Sequence, residues 1–291
     1  MRIPWQGRWL AIAALGGMAC GLALGCGREE PASEAEVGSG QEPPAVAVGT
    51  SMIECAVRSL SGGQVAVHRL GPPGQCPGHF DLTPGDFEAI VRSRLLLRHD
   101  YQGYLDEKLQ GVARGRRIGV LVTAGAQTIP ANYVDLCRQV ADEMSSVFPA
   151  LAPTVSAKLA EAELTADRIA ADALRQVAPL ASMPIVASNF QKEFCEWLGL
   201  RAVGEFDLAD EMSLKDLERL VRAGREGGAV AVVTNLQRGE REGRPIAERL
   251  GVPLVVLSNF PLEPAEPDGY RRLVAGNVQV LLAGCGHGAD R

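Results

Sequence analysis

A single break in an otherwise regular pattern constrains this chain most. On either side of residues 154–178, short apolar runs alternate with amphipathic stretches, but inside that window no strand signal occurs. There Val155, Leu159, Ala162, Ala166, Ile169, Ala173 and Val177 recur at helical spacing, between Pro153 and Pro179. A helix of about 25 residues spans roughly 37 Å, the length of a small domain. The window therefore reads as a rigid connector between two halves.

The halves share one pattern. Apolar runs at 64–70, 94–97, 118–123, 184–187, 201–206, 229–234 and 253–258 are rich in Val, Ile and Leu without strict alternation, as buried parallel strands are. Helical stretches at 52–60, 84–93, 133–147, 190–198, 214–223, 244–250 and 270–282 fall between them, with Thr83 placed to cap the second. The expected fold class is α/β: two lobes with parallel β-sheets flanked by helices, joined by one long rigid backbone helix. The boundaries are an N-terminal lobe at 48–151, a connecting helix at 152–180 and a C-terminal lobe at 181–291.

The first 47 residues belong to neither lobe. Arg2 and Arg8 precede an apolar run at 9–24, about 16 residues long. That is short of the roughly 20 needed to span a bilayer, but it suits an export signal. The run ends in Ala23-Leu24-Gly25-Cys26, small residues before a cysteine, as in a lipoprotein signal. Residues 1–25 are expected to be removed and Cys26 to carry lipid. Residues 26–47, rich in Glu, Pro, Gly and Ser, read as a flexible tether. The expected location is exported, on the periplasmic or cell-surface face, held to the membrane by that lipid. The chain's net charge of −6 comes without a basic stripe, which argues against nucleic acid as a partner. No G-x-S-x-G, P-loop or H-E-x-x-H motif is present, so catalysis is not expected.

Five segments carry a family resemblance: LGPPGQCPGHFDLTPGDFEAI, YLDEKL, IVASNFQKEFCEWLGL, the Ser-x-x-Asp-Leu of Ser213 to Leu217, and PDGYRRLVAGNVQVLL. In this order and spacing, the chain resembles the zinc/manganese class (ZnuA/TroA-like, cluster A-I) of periplasmic substrate-binding proteins of ABC importers. The resemblance implies two lobes about a backbone helix and a transition metal ion, zinc or manganese, as transported ligand. It also implies an ABC permease and its ATPase as partners of a monomeric protein.

The family's metal-binding positions are altered. A His expected directly after Pro77 is displaced by Gly78 to His79. IPANY stands where the family has Pro-His-x-Trp, and three further ligand positions fall on Ser188, near Asn235, and on Ser258 or Asn259. The best local metal candidates are Cys76 and His79, a thiol and an imidazole three residues apart on a Pro-Gly turn, with Asp81 as a weaker oxygen donor. Cys55 and Cys195 are further thiols. A Cys55–Cys76 disulfide is an alternative that would remove Cys76 as a ligand. Arg98-His99-Asp100 reads as a loop after a buried strand, where Arg98 could hold an anion and His99 could coordinate. Ser188, Asn189, Asn235, Ser258 and Asn259 also follow strands, and these neutral groups suit a polar organic ligand or a metal chelate. Two alternatives to metal capture therefore stand: a binder of a small organic or chelated ligand, and a lipoprotein of this fold without a transport role. Cys285 and His287 read as a frayed tail, and His68 as structural.

Overall fold

The structure is a computed structural model and describes residues 45–78, 80–112, 114–207, 212–264 and 268–286. The export signal, Cys26 and most of the tether lie outside the described residues, as do His79 and His287.

Two four-stranded sheets form, both wholly parallel. In the first, β1 (Ala45–Val48) and β3 (Leu95–His99) are central, flanked by β2 (Ala66–Arg69) and β4 (Arg117–Leu121), in the order β2-β1-β3-β4. The second repeats this as β6-β5-β7-β8, from β5 (Pro184–Ser188), β6 (Arg201–Phe206), β7 (Ala231–Asn235) and β8 (Leu254–Leu257). Nine helices are described. They are α1 (Ser51–Ser61), α2 (Pro84–Arg92), α3 (Tyr104–Lys108), α4 (Pro130–Val147), α5 (Ala152–Val177), α6 (Asn189–Trp197), α7 (Leu214–Gly227), α8 (Gly243–Leu250) and α9 (Gly269–Gly286). Among the described residues, no helix is long and apolar enough to cross a membrane.

The connector is α5, extended by a 3-10 turn at each end, Pro149–Leu151 and Ala178–Leu180. Of its expected apolar stripe, Val155, Ala166, Ile169, Ala173 and Val177 are buried. Val155, Ile169, Ala173 and Val177 join a core that runs from β1, α1 and α4 of the first lobe to β5, α6 and α9 of the second. Two smaller clusters cover the outer sheet faces, one around Leu96, Ile90 and Phe80, the other around Val186, Val232 and Ile246.

Local chemistry sets the helix starts. Thr50 accepts a hydrogen bond from the Ile53 N–H at the head of α1, and Ser213 from the Asp216 N–H at the head of α7. Thr83 and Asp86 form a reciprocal capping box on α2, with Pro84 in the first turn. The thiols of Cys55 and Cys76 remain separate, so the disulfide alternative is overturned. Cys285 is fully buried in the last turn of α9 rather than in a frayed tail, because Leu281 and Val278 carry the apolar face of that helix to its end. Residues 45–47, placed in the tether by composition, form most of β1. Val46 and Ala47 are fully buried there between β2 and β3.

Candidate functional site

In both sheets the strand order reverses between two central strands, β1 and β3 in one, β5 and β7 in the other. Ligands of open parallel sheets bind beyond the carboxyl ends of strands at such points. Residues following these strands line one cavity of about 520 Å³ to which both lobes contribute. The first lobe provides Cys76, Pro77 and Gly78 from the loop after β2, Tyr101 from the turn after β3, and Thr123, Gly125, Ala126 and Gln127 from the loop after β4. The second provides Asn189, Phe190 and Glu193 from α6, Asn235, Gln237 and Arg238 after β7, and Asn259 and Phe260 after β8.

Several contacts fix the walls. Pro77 C=O accepts hydrogen bonds from Gln102 Nε2 (3.1 Å) and Tyr104 Oη (2.9 Å), holding the Cys76 loop against the turn after β3. Arg238 lies over the Phe190 ring (5.9 Å), and its Nη1 donates to Cys76 Sγ across the lobes (3.8 Å). Glu193 makes a second tie between lobes, accepting from the Ala126 N–H (2.7 Å) and Asn132 Nδ2 (3.4 Å). On the second lobe, Gln237 donates to Ser258 Oγ (2.8 Å) and accepts from the N–H of Asn259 (3.0 Å). Asn259 Oδ1 accepts from Gln191 Nε2 (2.7 Å).

The residues singled out by sequence take different places. Cys76, Asn189, Asn235 and Asn259 line the cavity. Ser188 and Ser258 are buried behind it. Ser258 shapes the turn through Gln237 and Phe260, and the Ser188 hydroxyl has no partner among the described residues. Asp81 is fully exposed and pairs with Lys108 (2.9 Å), whose hydrogen bond and charge hold its carboxyl below the usual range. Cys55 lies elsewhere, beside a hollow of about 570 Å³ between α1, α5 and the start of α9. Burial pushes its thiol up to about 12. Cys195 is fully buried in α6, and burial raises its thiol as well.

Arg98 and His99 are not in a loop, because β3 continues through both. Arg98 is buried against Asp106 (2.8 Å) and the His99 carbonyl (2.9 Å). His99 is fully buried, with Nε2 at 3.1 Å from Thr50 Oγ1 and Nδ1 at 3.2 Å from Thr123 Oγ1. Its ring stacks on Tyr101 (4.9 Å between centroids), so it supports the cavity wall from behind. Burial pushes its imidazole down to about 3, against the pull of Asp100, and the ring is neutral near pH 7. Tyr101, Thr123, Gln127, Phe190, Glu193, Gln237, Arg238 and Phe260 escaped the sequence reading. Each lies within a few residues of a recognised strand end, which is the signal that would have found them. Among the described residues, no three His, Cys, Asp or Glu side chains gather where they could hold a metal ion.

The comparisons agree with the fold. The fold matches a crystal structure of ZnuA over 84% of this chain and all of that one, at 14% identity and a TM-score of 0.70. It matches the periplasmic zinc-binding protein TroA of Treponema pallidum over 84% of this chain and 99% of that one, at 16% identity and a TM-score of 0.69. A manganese-bound periplasmic metal-binding protein of Candidatus Liberibacter asiaticus matches over 82% of this chain and 98% of that one, at 12% identity and a TM-score of 0.71. At such identities these likenesses speak to the fold. A search of curated protein sequences finds no match. The model of one family, the periplasmic component A of zinc-uptake complexes (ZnuA), matches residues 46–284, nearly the whole described chain. The chain belongs to that ZnuA family.

Proposed function

We propose that this protein is the lipid-anchored capture component of an ABC importer whose cargo contains a transition metal of the zinc or manganese class. The observation that carries the reading is the cavity of about 520 Å³ between the facing strand ends of the two lobes, in a chain of the ZnuA family. Solved structures of the same fold are described as zinc-, manganese- or cadmium-bound. The protein binds and releases without catalysis, as a monomer, and hands its cargo to a membrane permease driven by an ATPase. Anchoring rests on Ala23-Leu24-Gly25-Cys26.

Two experiments test this. Deleting the gene in its natural host should lower cell-associated zinc or manganese under metal limitation, read by elemental mass spectrometry. Unchanged content and growth would remove the importer role and favour a lipoprotein of this fold outside transport. Cys26→Ala should move the chain from the membrane to the soluble fraction. A variant that still sediments with membranes would sink the lipid anchor.

A further inference from the structure

Two residues of the cavity wall, one in each lobe, have their hydrogen-bonding polarity set from behind. In the first lobe the setting runs through His99, which is fully buried with a threonine hydroxyl beside each ring nitrogen. The Thr50 hydroxyl already accepts from the Ile53 N–H (3.3 Å). Among the described residues, the acceptor left for its own hydrogen is His99 Nε2 at 3.1 Å. A neutral imidazole carries one N–H and one bare nitrogen, and burial keeps this ring neutral near pH 7. Nε2 is therefore the bare nitrogen, and the Nδ1–H donates to Thr123 Oγ1 (3.2 Å). Thr123 lines the cavity, and its own hydroxyl hydrogen meets no acceptor among the described residues.

In the second lobe the setting runs through Gln191, fully buried in α6. Its Nε2 donates to the Leu257 carbonyl (3.5 Å) and to Asn259 Oδ1 (2.7 Å). A flipped Gln191 amide would set oxygen against oxygen at Leu257, where the carbonyl only accepts. Asn259 therefore turns its oxygen back onto Gln191. Its Nδ2, with two N–H donors, is left without a partner among the described residues, and Asn259 lines the cavity. The neighbouring amides lack this freedom. Asn235 donates to Gln237 Oε1 (3.3 Å) and accepts from the Arg238 N–H (3.1 Å), while Gln237 donates to Ser258. Donors left open at a site that a ligand closes off from water favour a ligand that supplies acceptors.

We infer that the cavity takes a small organic molecule carrying at least two carbonyl or carboxylate oxygens, one accepting from the Thr123 hydroxyl and another from Asn259 Nδ2. Each lobe thus contributes one donor of fixed polarity. A volume of about 520 Å³ suits a small organic ligand, and the rings of Tyr101, Phe190 and Phe260 supply apolar wall. The inference goes beyond the metal-capture reading and holds whether or not a metal travels with the molecule.

Two measurements test it. In full-length protein labelled with ¹⁵N-histidine, a two-bond ¹H–¹⁵N correlation spectrum at pH 7 reads the tautomer of each of the four histidines. His99, identified by the signals lost in His99→Gln, should show a protonated Nδ1 and a bare Nε2. The reverse tautomer overturns the donor role of Thr123. The second measurement extracts the full-length protein from membranes of its natural host, denatures it, and analyses what is released by organic and elemental mass spectrometry. An organic compound with two or more carbonyl or carboxylate oxygens is the expected result. Thr123→Val and Asn259→Asp keep the shape of the wall but remove a donor, and each should lower the organic occupancy by about tenfold. Thr123→Ser, which keeps the hydroxyl, should retain it. Variants are compared once their circular dichroism matches the parent. A variant that loses its donor at full occupancy overturns the role of that residue. A released compound without such oxygens, or no organic compound at all, overturns the inference, and metal released alone does so while leaving metal capture standing. The expected compound released without metal supports the inference and counts against a metal cargo.

Discussion

His99 shows how one buried residue couples the site to pH. Both its ring nitrogens face threonine hydroxyls, and burial pushes the imidazole down to about 3. In the unfolded chain the same group titrates near 6.5. Between those values the unfolded state binds a proton that the native state does not, so stability rises with pH across the window and is lost as pH falls from 6.5 towards 3. The slope from this group is about 1.4 kcal/mol per pH unit. His99→Gln, which retains hydrogen-bonding capacity towards Thr50 and Thr123, should flatten the dependence of the urea midpoint on pH between 6.5 and 4. An unchanged slope would show that His99 is not its source. The sequence suggested His99 as a possible ligand because it follows an apolar run. What a single sequence could not convey is that two threonines, 49 residues before it and 24 after, would close around the ring.

At the scale of elements, the short loops and helix heads carry testable weight. The loop after β4 meets Glu193 at Gly125, whose φ is +136°. An added Cβ there would stand 2.7 Å from Asn132 Nδ2 and 2.8 Å from Glu193 Oε1. Gly125→Ala should therefore cost about 1–3 kcal/mol through backbone strain alone and weaken the tie between lobes. Thermal denaturation would show the loss, and a parent-like Tm would refute the steric account. On α2, Asp86→Ala removes one half of the capping box and the His68 contact at 2.7 Å, and should destabilise by about 1 kcal/mol. Chemical denaturation at pH 7 measures it. The Asp86 carboxyl lies below its usual range because the bonds from His68 and Thr83 outweigh burial, which pushes the other way. Its share of stability is present above about pH 4 and fades as pH falls further.

Elements were legible in proportion to their length and pattern. The connector was readable because seven apolar residues kept one period. Of the two lobes, only β1 was absent from the expected strands. It has four residues, all Ala or Val, directly after Pro43 and Pro44, so composition assigned its start to the tether. Its central place is set by pairing with β2 and β3, partners that local sequence does not reveal.

For the whole molecule, the continuous core is the dominant fact. Tyr133 and Tyr270, from opposite lobes, stack with centroids 3.7 Å apart, and Tyr270 Oη donates to the Thr128 carbonyl at 3.1 Å. Lobes that share one core should not melt separately. Scanning calorimetry should give a single transition whose calorimetric and van't Hoff enthalpies agree. Two resolved transitions would show that α5 couples the lobes only weakly. The same packing makes wide hinge opening costly, so ligand entry is expected to depend on the loops at the cavity mouth.

The division between that core and the strand-end loops bears on how such a protein can change. Nearly every residue facing the cavity sits just past a strand or at a helix head, while the buried core lies behind them. A substitution at these positions alters what is recognised and leaves the packing behind it intact. The scaffold can thus acquire a new cargo by steps that each retain a folded protein, a path open to few sites built from core residues.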